Sequence, residues 1–116
     1  MKLEDNAIYN KSLDFAIRIV NLYKYMNSSK NEFIISKQLL RSGTSIGANV
    51  REAFRAQSKP DFISKMNIAL KEADETSYWL ELLYKTGYLT EPQFNSINKD
   101  CDVIIRILVK IIKTSK

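Results

Sequence analysis

Four cations recur at helical spacing in one stretch of the chain: Lys37, Arg41, Arg51 and Arg55. At a period of about 100° per residue they fall within about 40° of one direction. Cations held in a row on a rigid helix can neutralise successive phosphates of a nucleic acid. A second set, Lys99, Arg106 and Lys110, shares a face with Lys113 farther along, with Asp102 at its edge. Each of these side chains would contact phosphate and none is placed to read a base. No aromatic residue interleaves with the first stripe, so base stacking is not indicated. The alternative for both sets is a solvated surface that binds nothing.

Charge is unevenly spread. The chain carries 18 Lys and Arg against 13 Asp and Glu, a net charge of +5 and a pI near 9.3. Residues 30–58 hold five basic and two acidic side chains, residues 59–89 four and five, and residues 90–116 five and three. The excess therefore lies in the second and last parts of the chain.

Most enzymatic chemistries lack their residues. Histidine is absent, which removes the commonest general base, the usual metal ligand and every imidazole triad. Diiron bundles need Glu-x-x-His motifs, so Glu72, Asp74 and Glu75 read as a wet helical face. Cys101, the sole cysteine, sits in an apolar helical pattern and reads as a buried thiol. No Walker loop, dinucleotide fingerprint or nucleophile elbow is present. Tyr78 and Trp79 read as core or interface residues. No catalytic residue, metal ligand or cofactor is assigned. With no signal-like N-terminus and with apolar runs cut by Arg106 and Lys110, no membrane association is expected and the location expected is the cytoplasm.

The elements that must position the cations are helices. With 116 residues, three Gly and two Pro, the chain suits one all-α domain. A first helix is expected from about 10 to 26. Leu13, Ala16, Ile17, Val20 and Tyr23 form one apolar row, and Phe15, Ile19, Leu22 and Met26 form a second. The first row reads as the inward one. Asn31 is the expected N-cap of a second helix over about 32–57, which carries Lys37, Arg41, Arg51 and Arg55.

On that second helix, Ile35, Leu39, Ser42, Ile46, Val50 and Ala53 gather opposite the cations. Gly43 and Gly47 lie on one shoulder beside Leu40 and Phe54, where they permit close helix packing. Gln38, Ser45 and Asn49 lie on the other shoulder. The run Ser42-Gly43-Thr44-Ser45 is a poor helix former, which makes it the place for a kink.

Ser58-Lys59-Pro60-Asp61 and Thr90-Glu91-Pro92-Gln93 share one grammar: a hydroxyl cap, Pro in the first turn and an acceptor at the third position. They open helices over about 59–86 and 91–114, and Gly87 suits the left-handed residue that ends the former. Leu89 and Phe94 are spaced as a hydrophobic staple. On the third helix Phe62, Met66, Ala69, Leu70, Ala73, Leu80, Leu83 and Tyr84 face inward. Asp61–Lys65, Lys71–Glu75 and Glu81–Lys85 are expected as pairs on the wet side. On the fourth, Phe94, Ile97, Cys101, Ile104, Ile105, Leu108, Ile111 and Ile112 face inward. Four such helices give an antiparallel up-down bundle.

The residues Gln38, Arg41-Ser42, Ser45-Ile46, Ala48-Asn49-Val50 and Glu52, followed by Ser58 and Phe62, resemble a known pattern. It is that of the bacterial four-helix-bundle proteins encoded in intervening sequences of 23S rRNA genes. The segment Ala69-Leu70-Lys71-Glu72-Ala73, and the run from Leu82 to the Gly87-Tyr88-Leu89 exit, are similar to that family's third helix. The likeness spans nearly the whole chain. It implies a four-helix bundle assembled as a ring-like homopentamer. It also implies distant similarity to the accessory protein of diversity-generating retroelements, a basic pentamer that works with a reverse transcriptase and nucleic acid. The resemblance carries no catalytic residue.

The width of the apolar faces points to assembly without the resemblance. The fourth helix adds Val103, Ile107 and Val109 to its inward set, and the first helix has its second row. Exposed, these would form larger patches than monomers usually carry. Phe15, Ile19, Leu22, Met26, Val103 and Ile107 are therefore the expected subunit contacts. The functional expectation is a non-enzymatic oligomeric protein that binds the backbone of RNA or DNA. The alternative is a protein-interaction adaptor that binds no nucleic acid.

Overall fold

Four helices follow from four start signals. In the computed structural model, which describes residues 6–116, α1 spans Ala7–Ser29, α2 Ile35–Ala53, α3 Lys59–Lys85 and α4 Glu91–Ser115. Asn6 caps α1 by accepting the Tyr9 amide at 3.1 Å. The helix therefore starts earlier than the expected residue 10 and gains Ile8 as a core residue. Ser58 accepts the Asp61 amide at 3.2 Å and opens α3. Thr90 and Gln93 form the full reciprocal box on α4, at 3.3 and 2.9 Å. Gly87 takes φ 86°, the left-handed turn expected after α3.

The second boundary differs from expectation. Asn31 does not cap; it adopts φ 53°, a left-handed turn that Asn tolerates, and α2 begins only at Ile35. The carboxylate of Glu32 does the capping instead. It accepts the amides of Ile34, Ile35 and Ser36 at 3.1, 3.0 and 2.7 Å, while the Ser36 hydroxyl donates back to the Glu32 carbonyl at 2.9 Å. These bonds satisfy amides that a helix start otherwise leaves orphaned. Burial alone would raise the Glu32 carboxyl pKa, but the three amides and the Ser36 hydroxyl together hold it below the usual range.

α2 runs through Ser42–Ser45 without a break, so the expected kink is absent. The hydroxyls of Thr44 and Ser45 donate to the carbonyls of Leu40 and Arg41, both at 2.7 Å. Back-bonds of this kind favour bending, so the unbroken run is held by packing, with Ser42 and Gly43 buried against α3 and α1.

α2 packs on α1 and on α3; α4 packs on α3 and more loosely on α1. The helices thus stand in order around one core, with α2 and α4 at opposite corners. That core contains Phe15, Ile19 and Met26 of α1, Leu39, Ile46 and Val50 of α2, Met66, Leu80 and Leu83 of α3, and Ile104 and Leu108 of α4. Gly43 and Gly47 let α1 approach closely: a Cβ at Gly43 would lie 2.8 Å from Ile19, and one at Gly47 3.4 Å from Ser12.

The two apolar rows of α1 are therefore the reverse of the expected arrangement. Phe15, Ile19 and Met26 are buried within the single chain, and Leu22 is half-buried beside them. Leu13 and Ile17, the row expected inside, are 45% and 54% exposed. The reason lies in α2, whose glycine shoulder offers room for Ile19 and Ser12. Ser12 lies on the same row as Phe15 and Ile19, so meeting the glycines turns that whole row inward. On α4, Ile107 is half-buried against the core and Val103 remains exposed.

Polar contacts add specificity between α2 and α3. The buried hydroxyls of Ser42 and Thr76 share a hydrogen bond at 2.9 Å, and Thr76 also donates to the Glu72 carbonyl at 2.8 Å. Cys101 is buried, as its pattern implied, with Sγ 3.5 Å from the Ala73 carbonyl oxygen.

Candidate nucleic-acid interface

The cations named from spacing are divided by the structure into four groups. Lys37 and Arg51 stand exposed on the outward face of α2, about 21 Å apart by the helical rise. Arg41, between them, is paired across to α3 while its side chain stays 52% exposed. Its guanidinium bonds to Glu72 at 3.3 Å and to Glu75, both on α3. Those two contacts raise its pKa, the hydrogen bond to Glu75 most. Glu75 also accepts the Trp79 indole N–H at 3.1 Å, which, with the Arg41 contact, holds its carboxyl low. The α2 stripe is thus interrupted at its centre.

Glu72 and Glu75 are consequently not a wet face but the α3 half of an interhelical ion pair. Lys65 likewise turns across to Glu52 of α2 at 3.3 Å rather than along its own helix to Asp61. Among the described residues, the three expected pairs within α3 do not come within ion-pair distance. Spacing along α3 gave no sign that these side chains would be claimed by α2.

Arg55 lies beyond the helix on which it was placed. α2 ends at Ala53, and the amides of Arg55 and Ala56 bond to the carbonyls of Glu52 and Ala53, at 3.0 and 3.1 Å. Three residues of turn carry Arg55 to the α2–α3 corner, close in sequence to Arg51 and Lys59. All three cations are exposed, and none has a carboxylate within ion-pair distance among the described residues.

The α4 set stands on the opposite corner of the bundle from α2 and shares no surface with Lys37 or Arg51. Lys99 and Lys110 are exposed and without a carboxylate partner among the described residues. Arg106 reaches Asp102 at 3.2 Å, a water-exposed i, i+4 pair that holds its charge only weakly.

Two features had no sequence signal strong enough to be read. Arg18 ties α1 to α4, bonding Asp100 at 2.6 Å and the Ser96 hydroxyl and carbonyl at 3.0 and 3.3 Å. Beside it α1 and α4 leave an open groove lined by Leu22, Tyr25, Leu89, Pro92 and Ile97. The other is Phe54, placed on the apolar shoulder of α2 by its spacing. In the structure it lies in the turn after Ala53 with 41% of its surface exposed, its ring edge-on to Phe62 at 5.8 Å between centroids. An aromatic group therefore does accompany the cations at this corner.

Among the described residues, no group of three or more His, Cys, Asp or Glu side chains is gathered as a metal site, and no helix is long and apolar enough to cross a membrane. No curated protein matches the chain. A crystal structure of a protein from Bacteroides thetaiotaomicron VPI-5482, described as a protein of unknown function from the S23 ribosomal protein family, is 61% identical in sequence. The match covers 92% of this chain and 99% of that one, with a TM-score of 0.92. The model of the 23S rRNA-intervening sequence protein family matches residues 4–110, so this chain belongs to that family.

Proposed function

We propose that this protein is a non-enzymatic, oligomeric cytoplasmic protein that binds the phosphate backbone of RNA or DNA. The observation that carries the reading is the pairing state of its cations. Lys37, Arg51, Arg55, Lys99 and Lys110 are exposed and have no carboxylate partner among the described residues, whereas Arg41, though exposed, is paired with Glu72 and Glu75. Phosphate binding draws more on the first kind of cation than on the second.

The assembly proposed is a ring-like homopentamer of antiparallel bundles. Contacts that pair Ser42 with Thr76 and Glu52 with Lys65 support the antiparallel course, and fivefold closure is the expectation carried by the family resemblance. The exposed apolar groups Leu13, Ile17 and Val103, with half-buried Ile107 and Leu22, are the subunit contacts in this reading. Two different faces would meet, as a closed ring requires.

Binding of generic RNA and DNA across a salt series tests the function. Affinity should fall log-linearly with salt, and Arg51→Gln or Arg55→Gln should each shallow the slope by roughly 0.7–0.9. A flat salt dependence, or no binding at low salt, overturns the reading and leaves a protein-interaction adaptor. Native mass at micromolar concentration tests the assembly, which a stable monomer would refute.

A further inference from the structure

We infer that the α2–α3 corner is a binding site for single-stranded nucleic acid, with Phe54 stacking on a base and Arg51, Arg55 and Lys59 holding the adjoining phosphates. This rests on the proposed nucleic-acid function and specifies its substrate class and location.

Local chain geometry creates the site. Phe54 keeps a helical backbone, φ −72° and ψ −8°, with its amide bonded to Val50 at 3.3 Å, and the helix ends just beyond it, where the amides of Arg55 and Ala56 bond three residues back. At this end of α2 Phe54 has 41% of its surface in solvent. Its ring is not loose, because Phe62, half-buried on the first turns of α3, meets it at an interplanar angle of 68°. An edge contact with Phe62 braces the ring without stacking over its face.

Charge at the corner matches the ligand. Arg51, Arg55 and Lys59 flank the ring in sequence and are exposed without carboxylate partners among the described residues. The nearby Glu52 is held by Lys65 at 3.3 Å, which leaves Asp61, on the first turn of α3, as the carboxylate set against Arg51, Arg55 and Lys59. Cations beside a braced, accessible aromatic group form the combination by which single strands are bound: phosphates follow the cations and an unstacked base covers the ring. A duplex could use the cations but not the ring, since its bases are already stacked on one another.

The test uses fluorescein-labelled 12-mers of oligo(U) and oligo(dT), and a 12-base-pair duplex, titrated with the full-length protein. Single strands should bind more tightly than the duplex. Phe54→Leu retains an apolar side chain against Phe62 and should weaken single-strand binding about 5- to 150-fold, the range for loss of one stacked base. Duplex binding and the single-strand salt slope should stay unchanged. Phe54→Trp should restore or exceed the native affinity, which separates stacking from simple contact. Equal binding of strands and duplex, an unaffected Phe54→Leu variant, or a change of native mass in that variant would overturn the inference while leaving backbone binding standing. Failure of all three probes at low salt would instead remove the proposed function.

Discussion

Gly43 and Gly47 lie one turn apart on the same shoulder of α2, yet alanine at the two positions should act in opposite directions. Each substitution gains roughly 0.8–1.0 kcal/mol of helix propensity. At Gly47 the new Cβ would lie 3.4 Å from Ser12 Cβ and 3.6 Å from its backbone, ordinary contact distances. The gain is kept, and Gly47→Ala should stabilise by about 1 kcal/mol. At Gly43 the new Cβ would meet both γ carbons of Ile19 at 2.8 Å and its Cβ at 3.2 Å. Rotating Ile19 exchanges one γ group for another while its Cβ stays in place. Because Ile19 is fully buried, α1 and α2 must separate instead. Overpacking of this kind costs about 1–3 kcal/mol, so Gly43→Ala should be neutral to about 2 kcal/mol destabilising.

Urea unfolding followed by far-UV circular dichroism, at one fixed protein concentration, measures the difference. A double-mutant cycle with Ile19→Ala isolates its cause. Ile19→Ala alone should cost about 2–5 kcal/mol, and less in the Gly43→Ala background by the size of the relieved clash. Gly43→Ala as stable as Gly47→Ala, or an additive cycle, would refute the reasoning.

Three further outcomes follow from buried polar groups. Glu32→Gln should cost about 1.5–3 kcal/mol at neutral pH, the worth of hydrogen bonds to a charged group. Because the folded carboxyl sits below its unfolded value of about 4.3, the native contribution is complete above that pH and fades as pH falls through the folded pKa. Unfolding curves from pH 7 to 3 should show the gap between native and variant closing, and a pH-independent gap would contradict the cap. Burial, assisted by the charges of Asp102 and Asp74, pushes the Cys101 thiol up to about 12. Alkylation by iodoacetamide at pH 8 should therefore be at least about a thousandfold slower than for a free cysteine and should become fast in urea; fast labelling of the native protein would refute the burial. Thr76→Val leaves the Ser42 hydroxyl buried with only a long contact to Leu39, and should cost about 1–3 kcal/mol in thermal or urea unfolding. Adding Ser42→Ala should recover part of that loss, and no recovery would argue against the pair.

The boundaries legible in the sequence were those written in local chemistry. Thr90-Glu91-Pro92-Gln93 and Gly87 specify their own backbone, and both behave as read. Glu32 was missed because a glutamate two or more residues before a helix has no fixed capping position, and its role depends on a turn at Asn31. The faces of α1 were misread for a different reason. Two adjacent apolar rows satisfy the same period, and the one that turns inward runs from Ile8 through Ser12, Phe15, Ile19 and Leu22 to Met26. Beginning the helix at residue 10 removed Ile8 from one row and Tyr9 from the other, so their lengths did not decide between them. What chose the inward row was the space beside Gly43 and Gly47, a property of two helices together.

The same distinction governs the candidate site. Helical spacing correctly placed Lys37, Arg41 and Arg51 outward on α2, but direction is not availability. Cations near the seam between two packed helices meet the carboxylates of the neighbour, as Arg41 meets Glu72 and Glu75. With the Arg41 side chain 52% exposed, such a pair competes with an external phosphate for the cation without withdrawing it from solvent. At the α2–α3 corner Arg51, Arg55 and Lys59 stay unpaired among the described residues, as Lys37, Lys99 and Lys110 do elsewhere, and it is at this corner that Phe54 has 41% of its surface in solvent. Extending α2 by one turn through 54–57 would return Arg55 to the stripe, while Phe54, already helical at φ −72° and ψ −8°, would keep its direction. Substitutions that favour helix there should then weaken single-strand binding without removing a single charge.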